Sequence, residues 1–531
     1  MTRASAAIGV FAVLLVIRSL AVFSTYFFQI DEVSMATGSV ALVRGTGAGI
    51  YHYTPHVGYY RLVEAIDLML GGRVALVPAI IKGLSAAAGA AIPTCALFAF
   101  ASELTVRQRW LAAFVLALNP LIWIISQYGN AALVATAFAT GGLVVLSNRP
   151  GLAGRLVACT LLGMAALVRA DTVLLAPVMA WLFYRIDGSL ARTVRWCAGF
   201  GIVMTAVFGA ILAFDPLADN AMRAIGIHMS STNERHFWGF LLWSVSPIPL
   251  LFALWGLRLI AGAKPRMLIA LALWVVPTLV FYAPAATIPR YFVNVMVPVA
   301  IACAVGLDDT IVRASKWIGG FARLAMPALA ALHLFVGFAY LPWDRGITAP
   351  LRGSNAPTQA GEELPTGALL YRTFSNRGVL AWWLRNPQFG TTDRYWEAAA
   401  FTRAMALLAD PQAPKRTVVV LLSGGWAQAL HYHAEVAGAR YVARRPLDSS
   451  GTLYVDTWFE IGNARVDTIP WRPAAYDLVP RFDITAGDEI WVLGRKPFPD
   501  EESLQKLPPG LSLVAADGFD PNIRVFRVTA S

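Results

Sequence analysis

The sequence predicts a polytopic α-helical membrane domain followed by an extracytoplasmic α/β domain, and three observations carry that reading. Of 531 residues, 57% are apolar and 14% are charged, against about 25% charged in an average soluble domain. The apolar excess is confined to the first part. Through Trp343 the chain has 23 Lys and Arg but 12 Asp and Glu, whereas Asp344 to Ser531 carry 20 of each. The cations of the first part stand in short clusters between apolar runs, as in cytoplasmic loops. The two units are therefore 1–343 and 344–531. A single core rarely exceeds about 250–300 residues, so length also calls for more than one unit. These features exclude a chain soluble throughout, a disordered chain and a disulfide-built secreted domain. The basic excess reports membrane topology and implies no nucleic acid. Cys95, Cys159, Cys197 and Cys303 all lie in apolar runs and read as small apolar residues.

The first apolar run, Ala4 to Phe28, exceeds the roughly 20 residues that cross a bilayer. No small-residue cleavage site precedes Gln29, so it reads as an uncleaved anchor. Further spans are predicted at 82–101, 111–126, 130–147, 153–169, 171–186, 196–214, 237–257, 267–283, 291–307 and 319–341, about eleven in all. With the N-terminus in the cytoplasm, Arg107/Arg109, Arg149/Arg155, Arg185/Arg192/Arg195, Arg258/Lys264/Arg266 and Arg313/Lys316 all fall inside. The outer segments are then 29–81, a tight turn at 127–129, 215–236, 284–290 and the whole of 344–531. Residues 57–70, VGYYRLVEAIDLML, carry Arg61, Glu64 and Asp67 at helical spacing on one face. They read as an amphipathic helix in the outer interface; making them a span would send the basic clusters outside.

In the tail, 344–365 is rich in Pro, Gly and charge and reads as a linker. Strand-like runs follow at Leu369–Thr373, Thr417–Leu422, Leu453–Phe459, Ile490–Leu493 and Ile523–Val528, with helical patterns at 376–386, 394–409 and 426–437. Their alternation indicates a small α/β domain. The strand–Gly-Gly–helix stretch VVVLLSGGWAQAL can cradle a phosphate. It lacks the three-glycine dinucleotide spacing, and plain strand–helix packing accounts for it.

Candidate site residues gather on the outer side. Asp31 and Glu32 directly follow the first span. Carboxylates at a membrane boundary are unfavourable unless solvated or used; the two readings are a solvated helix end and a general base. The stretch from Tyr51 to Tyr60 holds His52, His56, Tyr59 and Tyr60, either an aromatic belt or substrate contacts. Pro55 breaks the helix that would set His52 and His56 on one face for a metal, so no metal is assigned. Lys82, Arg169 and Arg290 each stand at the outer end of a span. They either snorkel to lipid phosphates or converge on one phosphate in a low-dielectric site; for Arg169 a local pair with Asp171 competes. Tyr128 and Asn130 of the tight turn and Glu234 of a later loop face the same compartment, Glu234 being a second carboxylate for the site or, the weightier reading, a solvated loop charge.

Taken in order, these residues resemble the C-type (GT-C) membrane glycosyltransferases. The nearest are the polyprenyl-phosphate-sugar transferases related to protein O-mannosyltransferase and lipid A aminoarabinose transferase. The likeness spans residues 1–310. It rests on the acidic pair Asp31-Glu32, on Thr54-Pro55-His56-Val57-Gly58-Tyr59-Tyr60 running to Gly71-Gly72, on Lys82 within KGLSAAAG, and on Pro289-Arg290-Tyr291 with Pro298. Thr54 and Asn130 depart from relatives that carry a basic residue or second Pro, and an acid, at those places.

The resemblance implies an inverting transfer on the extracytoplasmic face, from a polyprenyl-phosphate-sugar donor to a hydroxyl of a glycan, lipid or protein acceptor. Asp31, with Glu32, would take the acceptor proton. Lys82, Arg290 and Arg169 would receive the departing lipid phosphate, and His52, His56, Tyr59, Tyr60, Tyr128, Asn130, Glu234 and Tyr291 would contact substrate. Two fixed cations could replace a divalent ion, so no metal and no cofactor are expected. Placement in the cell (inner) membrane, among membrane lipids, follows. Two other classes stay open: a transporter or flippase of a lipid-linked saccharide, and a non-catalytic scaffold with a glycan-binding outer domain. Absent internal repeats and charges gathered on one side weigh against the transporter.

Overall fold

The computed structural model describes residues 3–19, 30–44, 56–126, 129–215, 241, 244–245, 247–283, 289–318, 328, 398–422, 426–444, 457–470, 485–493, 510–520 and 523–531. Within these, some side chains, those of Asp31, Glu32 and Arg290 included, fall outside the description. So do the predicted span 319–341, the strand Leu369–Thr373 and the helix 376–386.

The first part is helical: α1 Arg3–Arg18, α2 Ile30–Val43, α3 Val57–Met69, α4 Val77–Ala96, α5 Val106–Ala117, α6 Pro120–Ile125, α7 Ala131–Asn148, α8 Leu152–Val168, α9 Ala176–Asp187, α10 Leu190–Phe214, α11 Pro247–Ala263, α12 Pro265–Tyr282 and α13 Val293–Ile318. Among the described residues, five helical stretches are long and apolar enough to cross a membrane: Val74–Ala96, Ala131–Asn148, Leu190–Phe214, Pro265–Tyr282 and Val293–Lys316. Shorter apolar helices run Ser5–Arg18, Leu152–Val168 and Ile248–Ala263.

The stretch predicted as one span at 111–126 is instead two helices, α5 and α6, with Leu118-Asn119 between them and Pro120 opening the second. Pro has no N–H to continue α5, and its fixed φ suits the first turn of α6. The break frees carbonyls in an apolar setting, and Arg18 satisfies them. Its guanidinium donates to Ala117 O at 3.1 Å, Ile122 O at 3.2 Å and Ser126 Oγ at 3.0 Å. The stretch predicted at 171–186 likewise opens as a 3-10 turn, Ala170–Leu175, before α9. Helices α11 and α13 cross so closely that a Cβ on Gly256 would stand 1.8 Å from Ala302 O, and one on Gly306 2.1 Å from Phe252 O. Only glycine permits that approach.

Polar groups separate to the two ends of the bundle. At one end Arg185 pairs with Glu103, Lys264 donates to Glu103 O, and Arg107 and Gln108 reach Asp308. Arg155 pairs with Asp187 at 2.7 Å there too. Most of the basic clusters assigned to the cytoplasm thus converge on one end, as a common membrane face requires. The other end holds Arg61 with Asp215 at 2.8 Å and with Glu64 at 2.6 Å. Asp67 corrects the expected polar trio. It is 0% exposed in α3, neither carboxylate oxygen has a hydrogen-bond partner among the described residues, and burial lifts its carboxyl above the ordinary value. Helix α3 packs against α2, α4 and α8, so its third polar position points inward.

The tail forms α14 Ala398–Leu408, β1 Arg416–Leu422, α15 Trp426–Ala437, β2 Arg440–Arg444, β3 Thr457–Ile461, β4 Ala464–Pro470, β5 Glu489–Leu493, β6 Leu511–Asp520 and β7 Ile523–Ala530. The sheet order is β2-β3-β4-β1-β5-β7-β6, with β1 parallel to β4 and β5 and the outer pairs antiparallel. The central strand β1 is the continuous apolar run RTVVVLL, as a strand covered on both faces requires. Strands β2, β4 and β6 escape the sequence pattern because charged residues dilute their apolar content: Arg440 and Arg444, Arg465 and Asp467, Asp517 and Asp520. Helix α15 packs on α2, and Arg44 Nη2 donates to Val436 O at 2.6 Å in the last turn of α15. There helix carbonyls lack intrahelical partners and a cation suits the dipole.

Candidate functional site

Asp31 and Glu32 stand in the first turn of α2. Helix α2 is wedged among α3, α4 and α15, and Met35 to Ala41 are all buried. The ring of Tyr60 lies against Gly38 of α2, where a Cβ would stand 2.8 Å from its Cε1. Tyr59 OH donates to Ile81 O of α4 at 3.4 Å, one residue before Lys82. Both tyrosines are buried and lock α3 to its neighbours.

Lys82 departs from its predicted place at the span's outer mouth. It is 1% exposed, inside the bundle on α4. One turn deeper, Ser85 Oγ accepts from Asn130 N at 2.8 Å. Asn130 caps α7: its Oδ1 accepts from Ala132 N at 2.9 Å and Leu133 N at 3.3 Å. Its polar side chain therefore organises a helix start beside the lysine's helix.

The C-terminal end of α8 holds a second polar cluster. Arg169 Nε donates to Asp171 Oδ1 at 2.7 Å and its Nη2 to Tyr282 OH at 3.1 Å. Tyr282 OH donates to Asp171 Oδ2. The guanidinium lies 4.9 Å from the ring centre of Tyr291, which stacks on Tyr282 at 4.9 Å. The Asp171 carboxylate is thus held by Arg169 and Tyr282, with His56 nearby. His56 comes close because Gly58 lets α3 meet α8: a Cβ at Gly58 would stand 2.2 Å from Leu167 O. The local pair weighed from the sequence for Arg169 is therefore formed. Arg290, in the 3-10 turn Pro289–Phe292, directly precedes Tyr291, and that turn packs on α6, α7 and α13.

Breaking this pair gives a first prediction. Asp171→Asn strands a buried guanidinium and should cost about 3–5 kcal/mol. A thermal-unfolding midpoint equal to that of the parent would refute it.

A narrow crevice of about 10 Å³, room for about one water, lies beside the cluster, lined by Thr136, Arg169, Asp171, Thr278, Tyr291 and Asn294 among others. The structure thus bonds Asn130 to Ser85, one turn along α4 from Lys82, and sets His56 near Asp171, the partner of Arg169. His52, Tyr128 and Glu234 lie outside the described residues. Among the described residues no group of His, Cys, Asp or Glu is arranged to hold a metal. Sequence reasoning missed Tyr282, Thr136, Thr278 and Asn294. Tyr282 and Asn294 are polar groups flanking the Pro-Arg-Tyr motif and were legible; the threonines are unremarkable in an apolar helix.

No family model and no curated protein matches the sequence. Among solved structures, ArnT from Cupriavidus metallidurans in the apo state matches with a TM-score of 0.60 and 12% identity, covering 99% of this chain and 98% of that one. The same protein bound to undecaprenyl phosphate matches with a TM-score of 0.58 and 12% identity, covering 98% and 97%. Over nearly its whole length, helical part and sheet domain alike, the chain shares the fold of ArnT, the GT-C architecture that its motifs resemble.

Proposed function

We propose that this protein is an integral-membrane glycosyltransferase of the inner membrane. It moves a sugar from a polyprenyl-phosphate donor to an acceptor hydroxyl on the extracytoplasmic face, without a metal. The observation that carries this reading is the shared fold with a protein whose structure holds undecaprenyl phosphate, combined with a lysine buried inside the helical bundle.

In this reading Asp31, on α2, removes the acceptor proton, with Glu32 beside it. The oxygen attacks the anomeric carbon from the face opposite the phosphate, the C–O bond to the lipid phosphate breaks, and the configuration inverts. Lys82 and Arg290 receive the developing negative charge, which a low-dielectric site makes effective. Arg169, already paired with Asp171, acts mainly by holding Tyr291 next to Arg290. The helical unit 1–343 would supply the chemistry. Unit 344–531, seated through α15 on α2, would face the acceptor, be it glycan, lipid or protein.

The test is turnover by the purified full chain in lipid nanodiscs, supplied with undecaprenyl-phosphate-linked sugars and cell-envelope acceptors. Sugar transfer with release of undecaprenyl phosphate is the expected result. Movement of the intact donor across vesicles without transfer would overturn the enzyme in favour of a transporter. A reporter fused after Ser531 should read as extracytoplasmic; a cytoplasmic signal would invert the topology.

A further inference from the structure

We propose that Arg44 is a positioning residue for the transfer. It ties α2, the helix of Asp31 and Glu32, to the end of α15, so that the outer domain sets where the acidic pair stands. This rests on the glycosyltransferase reading above and adds to it a role for the outer domain.

At the end of α15, Gly438 has φ +82°, a left-handed conformation that glycine adopts freely. Its N–H donates to Glu435 O at 3.1 Å, and Ala439 N donates to Ala434 O at 2.9 Å. This is the Schellman pattern of a helix C-terminus. It occupies the carbonyls of Ala434 and Glu435 and passes over that of Val436. Arg44 Nη2 donates to Val436 O at 2.6 Å. A cation of the helical unit thus completes the cap of a helix in the sheet unit and faces the negative end of its dipole. Glycine serves twice here, since a Cβ at 438 would also stand 3.1 Å from Arg44 Nη1.

Helix α15 is a firm anchor. Leu430 and Ala434 are fully buried. His433 stacks on Phe401 of α14 with ring centres 5.3 Å apart, and His431 lies edge-on to Phe459 of β3 at 5.9 Å. Whatever Arg44 holds is therefore fixed to the sheet.

Helix α2 carries that anchorage to its other end. It is a single helix, Ile30–Val43, and Arg44 directly follows it. Its middle is buried, Leu42 and Val43 are half-buried, and Arg44 is exposed. Near the middle, Gly38 bears on the ring of Tyr60 in α3. Gly38 is six residues from Arg44, about 9 Å, and seven from Asp31, about 10 Å. A stiff helix resting on that ring is a lever with nearly equal arms, so a sideways shift at Arg44 returns at Asp31 with similar size. Misplacing a reacting group by about 1 Å can cost roughly 10²-fold in rate.

The test compares the full chain in nanodiscs with Arg44→Ala, Arg44→Lys and Gly438→Asn. It reads kcat for transfer from an undecaprenyl-phosphate-linked sugar, the donor Kd, and hydrogen exchange of the amides of 30–43. Arg44→Ala should lower kcat by about tenfold, leave the donor Kd unchanged and speed exchange in α2. Arg44→Lys keeps a charged donor and should recover part of the rate. Asparagine also adopts the left-handed turn, so Gly438→Asn keeps the cap while its Cβ crowds the guanidinium. It should mimic Arg44→Ala, and the double variant should be no slower than Arg44→Ala alone. A parental kcat in Arg44→Ala, a lysine variant as slow as the alanine one, or defects that multiply in the double variant overturns the proposal. A parent that transfers no sugar overturns the glycosyltransferase reading instead, and the role in transfer with it; exchange in α2 still reports whether Arg44 holds that helix.

Discussion

Replacing Asp31 by Asn is expected to lower glycosyl transfer by about 10²–10⁴-fold, the usual contribution of a positioned general base. The substitution keeps size and hydrogen-bonding capacity but removes the ability to take a proton. An unperturbed Asp, with a pKa of about 3.9, is a weak base; it serves here because the acceptor proton leaves late, as the sugar's C–O bond to phosphate breaks. Helix α2 is held on three sides, by α3, α4 and α15, so the variant should fold as the parent does. The measurement is initial rate against acceptor concentration, together with donor affinity. A large fall in kcat with donor Kd unchanged fits a base; transfer at the parental rate means the proton goes elsewhere.

Lys82→Met should lower kcat by about 10²–10³-fold, the effect of removing one preorganised group from a developing charge. Methionine retains most of the buried volume, so a fall in rate with the melting midpoint held separates the functional role from a structural one. A lysine kept only for packing would give a Met variant that is stable and active, whereas a phosphate contact gives one that is stable and slow. Lys82→Arg should recover part of the rate. The defect should also fall more heavily on donors with poor leaving groups, because the lost charge–charge interaction grows as the phosphate departs. Rates unaffected by the loss of this cation would remove Lys82 from the reaction.

Much of the architecture was legible because it depends on pattern. The steep apolar content up to Trp343 demands burial in lipid, and clustered arginines distribute the loops between two faces. The polar contacts among Glu103, Arg107, Arg185, Lys264 and Asp308 at one end agree with that distribution. Strands β1, β5 and β7 were found, β1 and β5 from their apolar runs and β7 from its apolar residues at alternate positions. The split at Asn119-Pro120 was missed because hydropathy sums over a break that a proline imposes on the backbone. Arg18 inside the first apolar run was the clue, since a charge there needs carbonyls to satisfy it.

The site divides along the same line. Residue order along the chain was enough to nominate the acidic pair on α2, Lys82 on α4 and the Pro-Arg-Tyr turn, because local chemistry and spacing are written in one dimension. Which cation stays committed to a carboxylate, which lysine sinks into the bundle, and which threonine hydroxyl is left without a partner depend on helices distant in sequence meeting at Gly58, Ser85 and Tyr282. Burial and hydrogen-bond satisfaction belong to pairs of distant side chains, so they come into being with the packing and have no signature in any single stretch of sequence.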